Sequence, residues 1–264
     1  LVGDQNQLPA YADAEVSPTL AKLTKNPDYR LFDILYNSLP DTHKQILTTQ
    51  YRMIENIGNL ISKVFYRGII DTGCNDDEKR HGLSRYVGKS IVWFDTSANK
   101  KKSQKRTKGG SYINEEEKRI ILEILDDLKS TGELKGLDIG IITGYSGQKE
   151  LLRKSIKATG LDKIASKIDI NTLDAFQGRE NDIIIYSTVR TRDSIGFQKE
   201  KERVNVAFSR AKKLLIVCGD KNFFYNFDDQ DNKFVEIIDY ISEEEECEII
   251  QCDGGKLFER ESNS

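Results

Sequence analysis

Asp182 to Val189 is a near-continuous apolar run, with isoleucine at three successive positions. A strand turns alternate side chains to opposite faces, so apolar residues on both parities require cover on both faces. Ser90–Phe94, Asp138–Ile142, Lys167–Ile170 and Leu214–Cys218 read as further strands, and Glu248–Cys252 as an edge strand. Helical periodicity falls between them. It covers Asp28 to Leu39, closed by Pro40, and a segment carrying Ile54, Ile57, Leu60, Ile61, Val64 and Phe65. It returns from the cap Asn114, with Glu117 three residues later, to about Ser130, and then over Ser146–Ala158, Glu200–Lys212 and Asp231–Ile241. Residues 67–90 show no period and read as an irregular connection. Buried strands alternating with helices predict an α/β fold, a mostly parallel sheet with helices on both faces. In such folds the site lies beyond the carboxyl ends of the strands, where the loops beginning at Thr143, Thr172 and Thr191 fall.

Composition narrows the class. At 264 residues, 38% apolar and 31% charged, the chain can bury a sizeable core. No apolar run approaches the roughly 20 residues that cross a bilayer, so no membrane partner is expected. Four cysteines (Cys74, Cys218, Cys247, Cys252) lie scattered beside two histidines. That pattern argues against a zinc site or a disulfide framework and for a reducing, intracellular setting. The net charge of −3 conceals an uneven distribution. Lys100 to Lys108 holds six cations and no acid, whereas Glu243 to Glu246 is an acidic run. Leu1-Val-Gly-Asp4 reads as the last residues of a buried strand, from which we expect the chain to be part of a longer protein.

Two stretches concentrate polar chemistry. Asn171-Thr-Leu-Asp-Ala-Phe-Gln-Gly-Arg-Glu180 sets a Thr, an Asp, a Gln-Gly turn and a Glu between apolar runs. Downstream, Arg203 and Arg210 stand about two helical turns apart, a spacing that places both on one helix face and suits a polyphosphate. Spacing alone favours a solvated amphipathic helix after a surface loop. Gly88-Lys-Ser90 imitates the end of a P-loop, but Leu83 occupies the position of its first glycine, and a strand rather than a helix follows. The chain therefore has no complete nucleotide-binding loop of its own.

Five segments occur in order: Gly3-Asp-Gln-Asn-Gln-Leu-Pro9, Gln50-Tyr-Arg-Met53, Ile142-Thr-Gly-Tyr-Ser-Gly-Gln148, Thr172 to Glu180, and Val204 to Lys212. Together they resemble the later motifs of superfamily-1 nucleic-acid helicases, in the branch of the nonsense-mediated-decay helicase and senataxin. The resemblance runs from residue 1 to about residue 220. It implies a RecA-like, P-loop-NTPase-type fold that lacks its own P-loop. Residues 1–10 would be the end of a first RecA-like domain, 11–252 the second such domain, and 253–264 a polar tail. ATP with Mg2+ would lie between the two domains, the metal held by the first, while single-stranded DNA or RNA runs across both.

Site roles follow from the same resemblance. Gln7 is similar to the glutamine that senses the γ-phosphate. Tyr51 is similar to the tyrosine beside the nucleotide base, and Arg52 and Arg210 to the arginines that reach the γ-phosphate. Glu180 is similar to the acid that accepts from the ribose hydroxyls, Gly178 to the small residue that lets the backbone approach, and Arg203 to a further residue at the nucleotide. Thr143 and Thr172 resemble threonines that bind the nucleic-acid backbone, with Arg190 and the basic loop as further contacts. For each threonine, turn capping is the competing role. Departures from the family pattern are Ile54-Glu55 after Met53 in place of His-Pro, Gly144 in place of proline and Ser209 in place of threonine. The implied function is the C-terminal motor domain of an ATP-dependent helicase or translocase, inactive alone because it lacks the Walker motifs. The alternative is a non-catalytic nucleic-acid or protein binding module, against which Gln7, Arg52, Glu180 and Arg210 all stand intact.

Overall fold

Six parallel strands form the centre of the molecule, in the order β10-β3-β9-β8-β6-β7. They are β3 (Ile91–Asp95), β6 (Ile139–Thr143), β7 (Ile168–Thr172), β8 (Asn181–Ser187), β9 (Ala211–Gly219) and β10 (Cys247–Gln251). A short parallel pair, β1 (Thr49–Gln50) and β2 (Asp71–Thr72), and an antiparallel hairpin, β4 (Lys105–Arg106) and β5 (Tyr112–Ile113), stand outside that sheet. The helices are α1 (Leu31–Ser38), α2 (Glu55–Phe65), α3 (Glu115–Thr131), α4 (Ser146–Ala158), α5 (Lys201–Phe208), α6 (Lys221–Tyr225) and α7 (Phe234–Glu243). The computed structural model describes residues 2–8, 31–75, 79–101, 103–134, 136–161, 167–176 and 178–258. Pro9, residues 28–30 of the expected first helix, Lys102, Gln177 and the tail from residue 259 lie outside them.

The two-faced burial expected for β8 holds strand by strand. Ile184 and Tyr186 enter one core with Ile91, Trp93, Leu215 and Val217, under α2, α5 and α7. Ile183 and Ile185 enter the other with Val92, Phe94, Leu214 and Ile216, under α3 and α4. Burying each such side chain contributes roughly 1.5–3 kcal/mol, so the strands and both helical layers stand or fall together. Among the described residues no helix is long and apolar enough to cross a membrane.

Four expectations need correction. Residues 200–212 are not one helix: α5 ends at Phe208, Ser209 and Arg210 turn, and β9 begins at Ala211. Pairing of Ala211 with Asn181 extends the strand ahead of its apolar run, so Arg203 and Arg210 do not share a helix face. Val2 is 97% exposed and lies in no strand, because no apolar surface of the described residues covers it. Part of the basic loop is ordered as the β4–β5 hairpin, and part of the irregular connection pairs as β2. The expected strands and the helices over 54–65, 115–130 and 146–158 are otherwise present within a few residues. Gly88 opens no helix and is followed by buried Ser90 and β3, a context unlike a P-loop.

Candidate functional site

The predicted site residues fall at both ends of the sheet rather than at the carboxyl ends alone. Thr143 and Thr172 close β6 and β7 side by side in register, and Arg190 follows the carboxyl end of β8. Glu180 and Arg210 immediately precede Asn181 and Ala211, which pair at the amino ends of β8 and β9. The connection from β7 to β8 carries the chain from one end to the other, pinned by buried Leu173 and Phe176.

At the amino end, the Gln50 side chain shapes the Gln-Tyr-Arg-Met turn. Its Oε1 accepts from the amides of Arg52 at 2.9 Å and Met53 at 2.8 Å, while Nε2 donates to Met53 O at 2.9 Å and Thr72 Oγ1 at 2.7 Å. The turn divides three side chains. Met53 enters the core, Tyr51 stays 68% exposed, and Arg52 reaches across to the β7–β8 connection. Gly73 lies against Tyr51: a Cβ there would meet the ring at 2.5 Å and shift it from its present place.

Arg52 Nε donates to Glu180 Oε2 at 2.6 Å and Nη1 to Ser209 O at 3.1 Å. Arg210 is 3% exposed. It donates to Val206 O at 3.0 Å, Arg179 O at 3.3 Å and Gln7 Oε1 at 3.1 Å, all neutral oxygens. Burial and the neighbouring Arg52 charge push its pKa down to about 10, which leaves it a cation at neutral pH. Gly178, two residues before Glu180, has φ 82° and open space at its Cβ position. Only glycine adopts that conformation without strain.

The Gln7 loop is held by residues that the sequence reading missed. Asn205 Nδ2 donates to Asn6 O at 2.6 Å and to the Tyr66 hydroxyl at 2.9 Å, and Tyr66 in turn donates to Asp4. Burial beside Asp4 raises the Tyr66 pKa far above its ordinary value. The signal lay in Val204-Asn205-Val206, a polar residue within an apolar helical stretch.

Arg203 does not join this cluster. Its hydrogen bonds go to Glu200 Oε2 and Asp174 Oδ1, both at 2.8 Å, and its guanidinium lies 5.3 Å from the Phe197 ring centroid. The nearby acids pair with it, apart from the Arg52, Glu180 and Arg210 group.

The carboxyl end is built differently. Thr143 is fully buried, and its hydroxyl accepts from the Tyr145 amide at 3.4 Å, the turn-capping role. Thr172 is partly exposed. Arg190 is 5% exposed, with its guanidinium 4.1 Å from the Tyr112 ring centroid, Nη2 on Arg192 O at 3.3 Å, and Nε without a partner. Tyr145 packs against both Tyr112 and the half-exposed Phe197. Sequence reading did not single out these aromatics, because each is an isolated ring in its own segment.

Two arginines, a glutamine amide and one carboxylate at this end offer cations to an anion such as a phosphate and an acceptor to a hydroxyl. Among the described residues no group of three or more His, Cys, Asp or Glu side chains could hold a metal ion.

The profile of a family described as an AAA domain matches residues 28–222. "Uncharacterized ATP-dependent helicase MJ0104" of Methanocaldococcus jannaschii is 31% identical over 95% of this chain and 36% of its own length. "Helicase SEN1" of Saccharomyces cerevisiae is 34% identical over 83% of this chain and 10% of its own. "ATP-dependent helicase upf1" of Schizosaccharomyces pombe is 33% identical over 83% and 24% respectively. The chain thus spans about a third or less of these relatives.

Proposed function

Because the chain belongs to the superfamily-1 helicases, in the branch of Sen1 and upf1, we propose that it is the second RecA-like motor domain of an ATP-dependent helicase or translocase. One observation carries the reading. Among the described residues the hydrogen bonds of buried Arg210 go to neutral oxygens, and burial with a second cation, Arg52, outweighs the nearby Glu180 and Asp4 charges and depresses its pKa. A buried cation whose neighbouring acids only partly offset its desolvation is costly, and an arriving γ-phosphate would supply an anion in direct contact.

In this reading ATP and Mg2+ are bound mainly by a P-loop domain, with the metal ligands on that domain. Residues 1–10 belong to its edge, and the rest of this chain closes over the nucleotide. Arg210 and Arg52 stabilise charge that builds on the transferring phosphoryl group. Glu180 accepts from ribose hydroxyls, and the exposed Tyr51 ring lies against the base. Gln7 exchanges its contact with Arg210 for one with the γ-phosphate or the attacking water. At the far end of the sheet, Thr172, Arg190 and the hairpin side of the basic loop face single-stranded DNA or RNA.

Fluorescence anisotropy with a labelled single-stranded oligonucleotide tests the second half of the proposal on this chain directly. Affinity should fall steeply with salt, and Thr172→Ala should weaken it several-fold whatever the sequence, as expected for contacts to the phosphate backbone. Binding that ignores both salt and the substitution would sink the assignment of that edge.

A further inference from the structure

Val189 has φ 68°, in the left-handed region where a β-branched residue is a genuine outlier, and it is fully buried. Its amide donates to both carboxyl oxygens of Glu117, each at 2.9 Å. Ser187 Oγ at 2.6 Å and Thr188 Oγ1 at 3.2 Å donate to the same carboxyl. Asn114 Nδ2 bridges Glu117 Oε1 and Val189 O, at 3.2 Å to each. Gln148 closes the group: Oε1 accepts from the Asn114 amide at 2.8 Å, and Nε2 donates to Asn114 O at 3.2 Å and Ser187 Oγ at 3.1 Å. Glu117 is fully buried, and none of these partners is a cation. A buried carboxyl without a counterion is an expensive group to keep. This one directs its hydrogen bonds at residues 187–189 and the cap of its own helix.

The arrangement fixes what comes next in the chain. The Arg190 amide donates to Thr188 O at 2.8 Å, and its guanidinium lies over Tyr112, two residues before the Asn114 cap. Both halves of the Arg190–Tyr112 stack are thereby tied to one carboxyl. Among the described residues Arg190 Nε is buried and makes no hydrogen bond, with the Tyr145 ring beside the same guanidinium, so a donor remains for a phosphate.

We propose that Glu117 is the positioning residue of the strand-binding edge: by holding Val189 in the left-handed conformation, it aims Arg190 across Tyr112 at the phosphates of a single strand. The proposal rests on the nucleic-acid reading of that edge. A carboxyl that served only internal packing would set stability and leave the affinity of folded molecules unchanged.

The test is a double-substitution cycle on this chain. Affinity for a labelled single-stranded oligonucleotide is measured at a temperature where circular dichroism shows every variant folded. Amide hydrogen exchange is read over residues 188–192. Glu117→Gln keeps the shape and hydrogen bonds of the neutral acid and should bind within about threefold of the parent, whereas Glu117→Leu should bind at least about tenfold more weakly. Glycine reaches the left-handed region without help, so in a Val189→Gly background Glu117→Leu should cost no more than about threefold. Exchange over 188–192 should rise in Glu117→Leu and be insensitive to the same change in the Val189→Gly background. Unchanged affinity and unchanged exchange in folded Glu117→Leu would overturn the proposal. If the parent binds no single strand, the nucleic-acid reading fails separately. The exchange data then decide the positioning role alone: unchanged protection refutes it, and the predicted rise sustains it.

Discussion

Arg210 Nη2 donates to Gln7 Oε1 at 3.1 Å across 203 residues of sequence. The bond joins the loop of residues 4–8 to the turn between α5 and β9, and it links two side chains assigned to the same phosphate. Each occupies the other until a ligand replaces one of them. Gln7→Ala should therefore cost little in stability, about 1 kcal/mol, since the loop is partly exposed to water. In the full-length protein it should lower kcat for strand-stimulated ATP hydrolysis at least about tenfold with little change in KM for ATP, the signature of an interaction made in the transition state. A raised KM at unchanged kcat would move Gln7 to simple nucleotide binding.

Glu180 is 45% exposed at its side chain and paired with a one-third exposed Arg52. Such a pair contributes no more than about 1 kcal/mol to folding. Glu180→Ala should leave the urea midpoint almost unmoved while erasing the preference for ATP over its 2′-deoxy counterpart. A retained preference would remove Glu180 from the ribose.

Much of this was legible in the sequence, for a physical reason. Apolar runs on both strand parities dictate a sheet covered on both faces, and β8, β3 and β9 obey. The motifs drew attention to Arg52, Glu180 and Arg210, and the structure brings these three side chains together at the amino end of the sheet. The shared helix face expected for Arg203 and Arg210 failed because helical spacing was carried across Ser209, where β9 pairing ends the helix. Glu117 was read as a capping-box acid. Asn114 does cap α3, its Oδ1 accepting from the Glu116 and Glu117 amides at 3.1 Å, but the Glu117 carboxyl turns to Val189 instead. The missed clue was that Glu117 shares a helix face with Ile120, Ile121 and Ile124, all buried.

Burial raises the Glu117 pKa to about 8, against an ordinary carboxyl near 4.5. The folded state therefore binds a proton that the unfolded state has released between those values. Stability from this group is complete below about pH 4.5, declines as pH rises by up to about 1.4 kcal/mol per unit, and is lost above about pH 8. A protonated Oε2 would donate to Ser187 Oγ in place of accepting from it, and a glutamine Nε2 at that position would do the same. Urea titrations across that range should show Glu117→Gln lacking the decline seen in the parent. Parallel curves for the two would contradict the shift.

Gly178 has φ 82° with nothing near its Cβ position, so alanine there meets backbone strain without a clash. Gly178→Ala should destabilise by about 1–2 kcal/mol in chemical denaturation. In the full-length protein it should weaken ATP binding by displacing Glu180. A fully stable variant would place the residue outside any constrained turn.

The central claim is that Arg210 is held as a cation for a phosphate bound by another domain. Its most direct test is ATP hydrolysis by the full-length protein at saturating single strand, with Arg210→Ala and Arg210→Lys beside the parent. Arg210→Ala should lower the rate by about 10³-fold or more, with nucleotide affinity much less affected and lysine restoring only a small part. Equal rates in the parent and Arg210→Ala would contradict the account.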